Sequence, residues 1–353
     1  MSTNINKIII DIRCMINYAS YYIYGLKKLG YDVEFSMIED RPFIDDNDYR
    51  KGFAMLIKYI NGAERKVFVD TNDDNNIDEK YYEWSDLYAK INLNPQDIDR
   101  SKVLPIGPSF GVTLWNPLHT MLYGFRNYHK WKGDEYKVPI KMYIKDYMYT
   151  VVRRKPYNTY HCRCEEDNDY VFTLSTLWYS VGCYKTTNVH RGAYARACKD
   201  VFSKFEGGFF YIDSPVVFKE CPKYADYLKL YGDMIVYKRI SMKEYLDKTK
   251  KSLFVFNTPS VVGCHGWKMA EYLAMGKAII STPILNAMPG EFTKDVHYLE
   301  ASTPEEIKEA VLLLKNNPDK VKSLKENAKL YFEQYLSPEA VVTRILEKAE
   351  TIC

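Results

Sequence analysis

Short runs of apolar, β-branched residues alternate along this chain with segments whose apolar residues recur at helical spacing. The first run, 7–12, holds four isoleucines, interrupted after Lys7 only by Asp11, as in a strand buried on both faces. Residues 18–28 follow with helical periodicity and end before Gly30, and 31–35 return to a strand pattern. A strand that returns after one helix begins a βαβ unit. The pattern therefore predicts an α/β fold with parallel sheets covered by helices.

The alternation continues to the end of the chain. In the first half we expect a helix at 53–60 and strands at 66–70 and 102–106. Gly207 and Gly208 predict a tight turn before a strand at 208–212. The remaining strands are expected at 170–175, 234–237, 252–257 and 278–281, and the remaining helices at 188–205, 241–249, 266–275, 304–315, 318–333 and 338–350.

The chain has 353 residues, which is more than one compact core usually holds. An acidic stretch at 165–169 separates two series of alternating elements and suggests a boundary near 160. We expect one domain over 1–160, a second over 161–335, and a terminal helix at 336–353 that packs back on the first domain.

Composition excludes several classes of protein. The net charge of +3 is too small to indicate a dedicated nucleic-acid binder, so no nucleic-acid partner is expected. No apolar stretch reaches the ~20 residues of a membrane span, and the first residues do not form a signal peptide. Eight scattered cysteines indicate reduced thiols in a cytoplasmic protein, and the cluster His161-Cys162-Arg163-Cys164 is too small to predict a zinc site. The 32 tyrosines suit half-buried or sugar-facing surfaces, or reflect base composition alone.

Residues 252–300 carry the clearest chemical signal. A strand ends at Asn257, a loop of small residues follows, and a helix begins near Gly266. Ligands of open α/β sheets bind beyond the carboxyl ends of the strands, where a helix N-terminus favours phosphate. Lys268 then adds a positive charge, and Glu271 is able to accept hydrogen bonds from two ribose hydroxyls. The alternative is a buried βαβ unit in which Lys268 and Glu271 form a weak surface pair.

The segment K-M-A-E-Y-L-A-M-G-K-A-I-I-S-T, at 268–282, closely resembles the donor-binding segment of GT-B glycosyltransferases, particularly those similar to family 4. This resemblance implies a GT-B fold, in which two Rossmann-like domains with parallel sheets face each other across a cleft. It implies transfer of a sugar from a nucleoside-diphosphate donor to a hydroxyl acceptor, a glycan or a lipid-linked glycan. Domain 1–160 would be the acceptor side and domain 161–335 the donor side, with Glu271 on the ribose. No cofactor and no bound metal are expected.

The chain departs from the family pattern at two places. The usual first Glu of the donor segment is replaced by Gly263, which leaves open whether the reaction retains or inverts configuration and which sugar is transferred. Next to it, His265 is a candidate to bind a phosphate or a sugar hydroxyl, or else a packed histidine. The glycine pair that follows the first strand in the family is absent, since residues 13–17 read Arg-Cys-Met-Ile-Asn.

Other candidate groups come from the family's architecture. Basic residues early in the second domain usually neutralise the leaving diphosphate, and Arg191 and then Lys185 are the candidates here. If the reaction inverts configuration, a base must deprotonate the acceptor, and Asp11 or Asp86 is the candidate. The alternatives are that Arg191 pairs with a nearby acid and that the two aspartates are solvated loop residues.

Residues 121–157 hold nine Lys or Arg and three acids, interleaved with aromatic residues. This stretch is a solvated surface, a groove for an anionic acceptor, or a peripheral contact with anionic lipid. Two further functions remain open: a sugar-nucleotide epimerase of the same fold, and a protein that binds a nucleotide or glycan without catalysis. Gly263 favours the second of these.

Overall fold

The computed structural model describes residues 4–133, 136–161, 167–178, 186–220 and 223–352. The chain divides into two compact units. The first comprises Met1–Thr159, Asn286–Gly290 and Glu333–Cys353, and the second comprises Tyr160–Leu285 and Glu291–Phe332.

The first unit is built on one sheet with strand order β2-β1-β3-β4-β5-β6. Its strands are β1 (Ile5–Asp11), β2 (Val33–Ser36), β3 (Gly52–Tyr59), β4 (Glu64–Asp70), β5 (Leu87–Lys90) and β6 (Val103–Pro105). Its helices before the chain leaves this unit are α1 (Ile16–Lys28), α2 (Asp46–Lys51), α3 (Glu79–Trp84), α4 (Pro117–Lys130) and α5 (Ile140–Val152). The predicted α/β class with parallel strands is confirmed here by the pairs β1–β2, β4–β5 and β5–β6.

The helix predicted at 53–60 is wrong, because this segment is strand β3. It pairs antiparallel with both β1 and β4, so the sheet is mixed rather than fully parallel. A tight turn joins β3 to β4, with Gly62 at a φ of +85° and the Asn61 side chain accepting a hydrogen bond from the Ala63 amide. Asn-Gly between two apolar runs is a hairpin signal, and it outweighs the helical spacing of an uninterrupted apolar segment.

Tyrosines fill much of the interior of the first unit instead of facing solvent. Stacked and edge-on ring pairs connect them, for example Phe68 with Tyr81, whose centroids lie 3.9 Å apart. The fully buried tyrosines of this unit include Tyr21, Tyr22, Tyr49, Tyr81, Tyr88, Tyr143 and Tyr147. Their abundance is therefore a feature of core packing.

The second unit contains two parallel three-stranded sheets, with orders β7-β8-β9 and β10-β11-β12. The strands are β7 (Tyr170–Thr176), β8 (Lys204–Phe210), β9 (Ile235–Val236), β10 (Phe254–Asn257), β11 (Ala278–Ser281) and β12 (Leu299–Glu300). The helices are α6 (Thr187–Val201), α7 (Pro215–Glu220), α8 (Tyr224–Leu230), α9 (Met242–Lys251), α10 (Trp267–Ala274), α11 (Pro304–Asn316) and α12 (Pro318–Tyr331). The start of β10 lies beside β7, since the Leu253 amide donates to Tyr170 O at 3.0 Å.

Gly207 and Gly208 lie inside strand β8, so the predicted turn is wrong at this point. They pair with Thr173 and Leu174 of β7. A Cβ at Gly207 would lie 1.8 Å from the Thr173 carbonyl oxygen, and the φ angles of +105° and +130° suit glycine. The two glycines therefore allow neighbouring backbones to approach closely within the sheet.

The last helix, α13 (Pro338–Thr351), belongs to the first unit and packs against α1. The Tyr21 hydroxyl of α1 donates to Leu336 O at 2.6 Å just before α13 begins. A Cβ at Gly25 would lie 2.2 Å from Pro338 O, so glycine is needed for this close approach. In the part of the chain that the structure describes, no helix combines the length and apolarity that crossing a bilayer requires.

Candidate active site

A cavity of about 180 Å³ lies in the second unit, beyond the carboxyl ends of β7 and β10. The amino-terminal parts of α6 and α10 form its other walls. Strand ends and helix starts meet at the same edge of an open α/β sheet, which is where such folds bind ligands. Its described lining residues are Thr173, Ser175, Thr176, Trp178, Arg191, Tyr194, Phe256, Asn257, Thr258, Ser260, Gly266, Trp267, Lys268 and Tyr272.

Arg191 lies one turn into α6 and is held by groups at two strand ends. Its Nε donates to Thr258 Oγ1 at 3.0 Å, after β10, and one terminal nitrogen donates to Thr176 O at 2.9 Å, at the end of β7. The guanidinium also lies 5.6 Å from the centre of the Trp178 ring. These contacts fix the orientation of a planar cation in the wall of the cavity, as bidentate recognition of phosphate requires.

Trp178 is itself held in place by a side chain of α6. Asn188 accepts a hydrogen bond from the Trp178 amide at 2.8 Å and donates to its carbonyl oxygen at 2.9 Å. Both backbone groups of Trp178 are therefore satisfied by one buried amide. This pairing positions the indole ring beside Arg191.

Lys268 is the second residue of α10, and its partly buried side chain reaches across to β7. Its Nζ donates to Leu174 O at 2.6 Å. Burial lowers the pKa of Lys268 to about 7, the charge of Arg191 acts in the same direction, and Glu271 opposes both. Two cationic side chains therefore lie in one cavity, and one of them gains or loses its proton near neutral pH.

The start of α10 adds backbone donors to the same wall. Gly266 is the N-cap, with φ −72° and ψ 151°, and no side chain caps the first turn. The first amides of a helix have no partner within the helix, and the positive end of the helix dipole favours an anion there. A Cβ at Gly266 would meet only the Lys268 amide nitrogen, 4.0 Å away, so the space in front of this position is open.

The loop before α10 has an unusual backbone. Val262 has a φ of +50° and Gly263 a φ of +77°, so two consecutive residues are left-handed. A β-branched residue in this region is a rare and strained conformation. A glutamate at 263 would be strained on this path, which gives a physical reason for glycine there.

The remaining predicted donor-side residues lie near this cavity or outside the described chain. Glu271 is buried in α10, where its charge acts on Lys268. Burial raises the pKa of Tyr272, and the charge of Glu271 acts in the same direction. His265 is partly buried in the loop directly before α10. Lys185 lies outside the described residues, as do Cys162 and Cys164. The structure thus brings Arg191, Gly266 and Lys268 together at one cavity, with Glu271 behind Lys268.

Asp11 does not have the surroundings of a catalytic base. It is fully buried at the end of β1 and accepts hydrogen bonds from the Arg13 and Ile38 amides at 2.8 and 3.1 Å. The Arg13 guanidinium lies 2.8 Å from one carboxylate oxygen and that of Arg41 lies 3.5 Å from the other. Both oxygens are held within a buried ion network of the first unit, which argues against Asp11 as the base.

Asp86 also lies away from the place where a base was expected. It precedes β5, and its carboxylate accepts from the Lys66 amide at 2.7 Å. This is the amino end of the strand, whereas ligands bind at the carboxyl ends. At the carboxyl end of β5 stands buried Lys90, 2.8 Å from Asp70. This position argues against Asp86 as the base, because a residue before a strand and a residue after it lie at opposite edges of the sheet.

Sequence reasoning did not single out Trp178 and Thr258. Thr258 follows β10 directly, so a hydroxyl residue at a strand end was the available signal. Trp178 lies two residues after the end of β7. Its place in the cavity wall depends on contacts with Asn188 and Arg191, which a single sequence does not reveal.

No family model and no curated protein matches this chain. Among solved structures, a glycosyltransferase from Rickettsia africae is similar at 9% identity with a TM-score of 0.44, over 96% of this chain and 81% of that one. TarM is similar at 13% identity and a TM-score of 0.45, over 79% of this chain and 49% of TarM. Anabaena HepE, crystallised with UDP and glucose, is similar at 9% identity and a TM-score of 0.44, over 77% and 65% of the two chains.

Glycosyltransferases are thus among the solved structures similar to this chain. The three TM-scores are all below 0.5. Functional assignment therefore depends on the chemistry of the cavity itself.

Proposed function

We propose that this protein is a glycosyltransferase that moves a sugar from a nucleoside-diphosphate donor to a hydroxyl acceptor. The cavity beyond β7 and β10 binds the donor's diphosphate. The observation that carries this proposal is the convergence of Arg191, Lys268 and the start of α10 on one cavity. Two cations and a helix N-terminus in one wall are a site for an anion with more than one charge.

In the reaction, the bond between the anomeric carbon and the diphosphate oxygen breaks, and the acceptor oxygen forms the new bond to that carbon. Negative charge grows on the leaving diphosphate. Arg191 contributes the positive charge of a guanidinium held in place by Thr258 and Thr176, and protonated Lys268 offers donors beyond the one used by Leu174 O. Because these groups supply positive charge, we expect transfer to proceed without a divalent metal ion. Glu271 is expected to accept hydrogen bonds from the ribose hydroxyls.

The proton of the acceptor hydroxyl goes to a base or to the departing phosphate. The buried ion network around Asp11 and the position of Asp86 argue against both as bases. Proton transfer to the departing phosphate, with retention of configuration, is therefore the course we favour. The acceptor is expected to be a glycan or a lipid-linked glycan, used in the cytoplasm.

A screen of UDP, GDP, ADP, CMP and dTDP by thermal shift, without added metal, tests the donor site first. A nucleotide present at 100 times its Kd stabilises the folded state by about 2.7 kcal/mol. The sugar donors that carry the stabilising base are then incubated with and without a panel of acceptors. We expect acceptor-dependent release of the nucleoside diphosphate together with a glycosylated acceptor.

Other outcomes separate the alternatives. Nucleotide binding without turnover of any donor would favour a non-catalytic binding protein, the second candidate, which is suggested by glycine at 263. Conversion of the donor sugar without an acceptor would indicate an epimerase. Failure of every nucleotide to bind a folded sample would contradict the proposal.

A further inference from the structure

Helix α4 exposes its large apolar residues, and the residues that it buries are small or polar. Leu118, Met121, Leu122 and Phe125 are 67%, 42%, 56% and 40% exposed. Their spacing of i, i+3, i+4 and i+7 places them in one stripe along the helix. We name these four residues the α4 stripe.

The opposite face of α4 packs against α5 with small or polar residues. Thr120, Gly124 and Asn127 are buried there. A Cβ at Gly124 would lie 3.0 Å from Ile144 Cδ1, and Asn127 donates to the Tyr147 hydroxyl at 2.9 Å. A helix of a water-facing surface shows the reverse pattern, with its apolar stripe toward the core. This packing fixes the rotation of α4 about its axis, with the α4 stripe on the side away from α5.

The described residues of α4 and of the turn after it carry charges of one sign. Residues 117–133 contain no Asp or Glu, and Arg126, His129 and Lys132 are exposed among them. The two acids of the connection between the helices, Asp134 and Glu135, lie outside the described residues.

Helix α5 continues this pattern. Lys141 and Lys145 are exposed on it, together with Ile140, Tyr149 and Val152. Its acid, Asp146, is buried and accepts hydrogen bonds from the Ile16 and Asn17 amides. The exposed faces of both helices thus combine cations with apolar side chains.

We propose that the α4 stripe and its surrounding cations dock the protein on the surface of an anionic lipid bilayer. Apolar side chains on a helix that lies in the membrane plane enter the boundary between headgroups and acyl chains. Lys and Arg beside them are attracted to anionic headgroups, and this attraction weakens with salt. Among the described residues of α4 and α5, cations are exposed and no acid is, which fits this partner better than it fits a protein surface of mixed charge.

Flotation with extruded vesicles tests the proposal on the whole protein without nucleotide, so its outcome does not depend on donor binding. Vesicles of phosphatidylglycerol and phosphatidylcholine, 1:1, are compared with pure phosphatidylcholine at 0.05, 0.15 and 0.5 M NaCl. We expect at least tenfold stronger partitioning to the anionic vesicles at 0.15 M NaCl, and a further loss at 0.5 M. Equal binding to both vesicles, or binding to neither, would overturn the proposal.

The paired variant Leu122→Ser/Phe125→Ser removes two members of the α4 stripe. Both side chains are exposed, so its melting temperature is expected to match the wild type, while its partitioning falls at least tenfold. The matched control is Leu312→Ser/Leu313→Ser on α11, where the side chains are 38% and 45% exposed, and its partitioning is expected to stay unchanged. Two results would contradict membrane docking: equal losses in both variants, or a wild-type dimer without vesicle binding that Leu122→Ser/Phe125→Ser converts to a monomer.

Discussion

Nucleotide binding at the cavity should be accompanied by proton uptake, because Lys268 has a depressed pKa in the free protein. Burial and the charge of Arg191 lower that pKa to about 7. A diphosphate next to the amine favours its charged form and moves the pKa back toward the ordinary lysine value of about 10.4. Binding at pH 8 therefore converts a neutral amine into an ammonium.

The magnitude follows from the free-state pKa. A group with a pKa of about 7 is about 90% deprotonated at pH 8, so about 0.9 proton is taken up for each nucleotide bound. At pH 6 the same group is already protonated and the uptake falls to about 0.1 proton. As a consequence, the affinity weakens roughly tenfold for each pH unit above 7, until the pH reaches the pKa of the bound state.

Isothermal titration calorimetry measures the uptake directly. The diphosphate that binds best is titrated at pH 8 in HEPES and in Tris, and the difference in observed heat gives the protons taken up. The terminal phosphate of the nucleotide, with a pKa near 6, is already ionised at pH 8 and contributes little. Lys268→Met should bind more weakly and take up no proton. Lys243→Met, which alters an exposed lysine of α9, should behave as the wild type.

Two results would refute this reasoning. One is measurable binding at pH 8 with no proton uptake in the wild type. The other is proton uptake that persists in Lys268→Met, which would assign the titration to another group. Absence of any nucleotide binding is a different outcome, since it contradicts the donor site and not the assignment of Lys268.

Further predictions concern the cavity and two buried carboxylates. Gly266→Leu should abolish nucleotide binding, because the leucine side chain would occupy the open space in front of α10. Its melting temperature should stay unchanged, because a Cβ at this position meets no close neighbour. Gly232→Leu, at an equally open position, should bind normally in the same thermal-shift assay. Burial raises the pKa of Asp146 to about 7, so between pH 4 and 7 the folded state keeps a proton that the unfolded state has released. In urea unfolding, the free energy of unfolding of the wild type should therefore fall relative to that of Asp146→Asn as pH rises through this window, and Asp146→Asn should be the more stable form above pH 7. The opposing contribution of His190 and His297, whose pKa values burial lowers, is common to both proteins and cancels. A difference that does not change with pH would contradict the assignment. Asp11→Asn should lower the free energy of unfolding in urea by about 3–5 kcal/mol, because Arg13 and Arg41 lose a buried counter-charge. A loss below about 1 kcal/mol would mean that the charge of Asp11 does not stabilise the folded state.

Local patterns were sufficient to predict most elements of the fold. Strand β11 has the predicted bounds and α11 differs by one residue, because a buried β-branched run and a capped amphipathic helix are read from neighbouring residues alone. Strand β3 failed because an uninterrupted apolar run suits a buried helix and a buried strand equally. The turn at Asn61 and Gly62 decides between them, and it lies outside the run itself.

The position of Gly266 and Lys268 beside a cavity was predictable, because a helix start after a buried strand is visible in the sequence. The surroundings of Asp11 were not predictable, because an acid at a strand end looks the same whether it faces a ligand or an arginine. Its partner Arg41 lies thirty residues away, and only the fold brings the two together.

Helix α4 shows why spacing alone does not assign a face to the core. Leu118, Leu122 and Phe125 recur at helical spacing, which in most helices marks the buried side. Here Gly124 and its neighbours allow α5 to approach on the other side, and the apolar stripe is left outside. Small residues at helical spacing therefore compete with an apolar stripe as a sign of the packed face. In α4 the face with the small residues is the one that packs against α5.

The loop at 261–263 shows a further limit to transferring roles from a family. Counting residues back from Glu271 places Gly263 where the family usually has a glutamate, as if one side chain had simply been replaced by another. The backbone differs as well, because Val262 and Gly263 are both left-handed, and a side chain at 263 would be strained in this conformation. Restoring a carboxylate at 263 would therefore change the path of the loop as well as its chemistry. Under the proposed function, we therefore expect recognition of the transferred sugar to come from groups that this path itself brings to the cavity, such as Ser260.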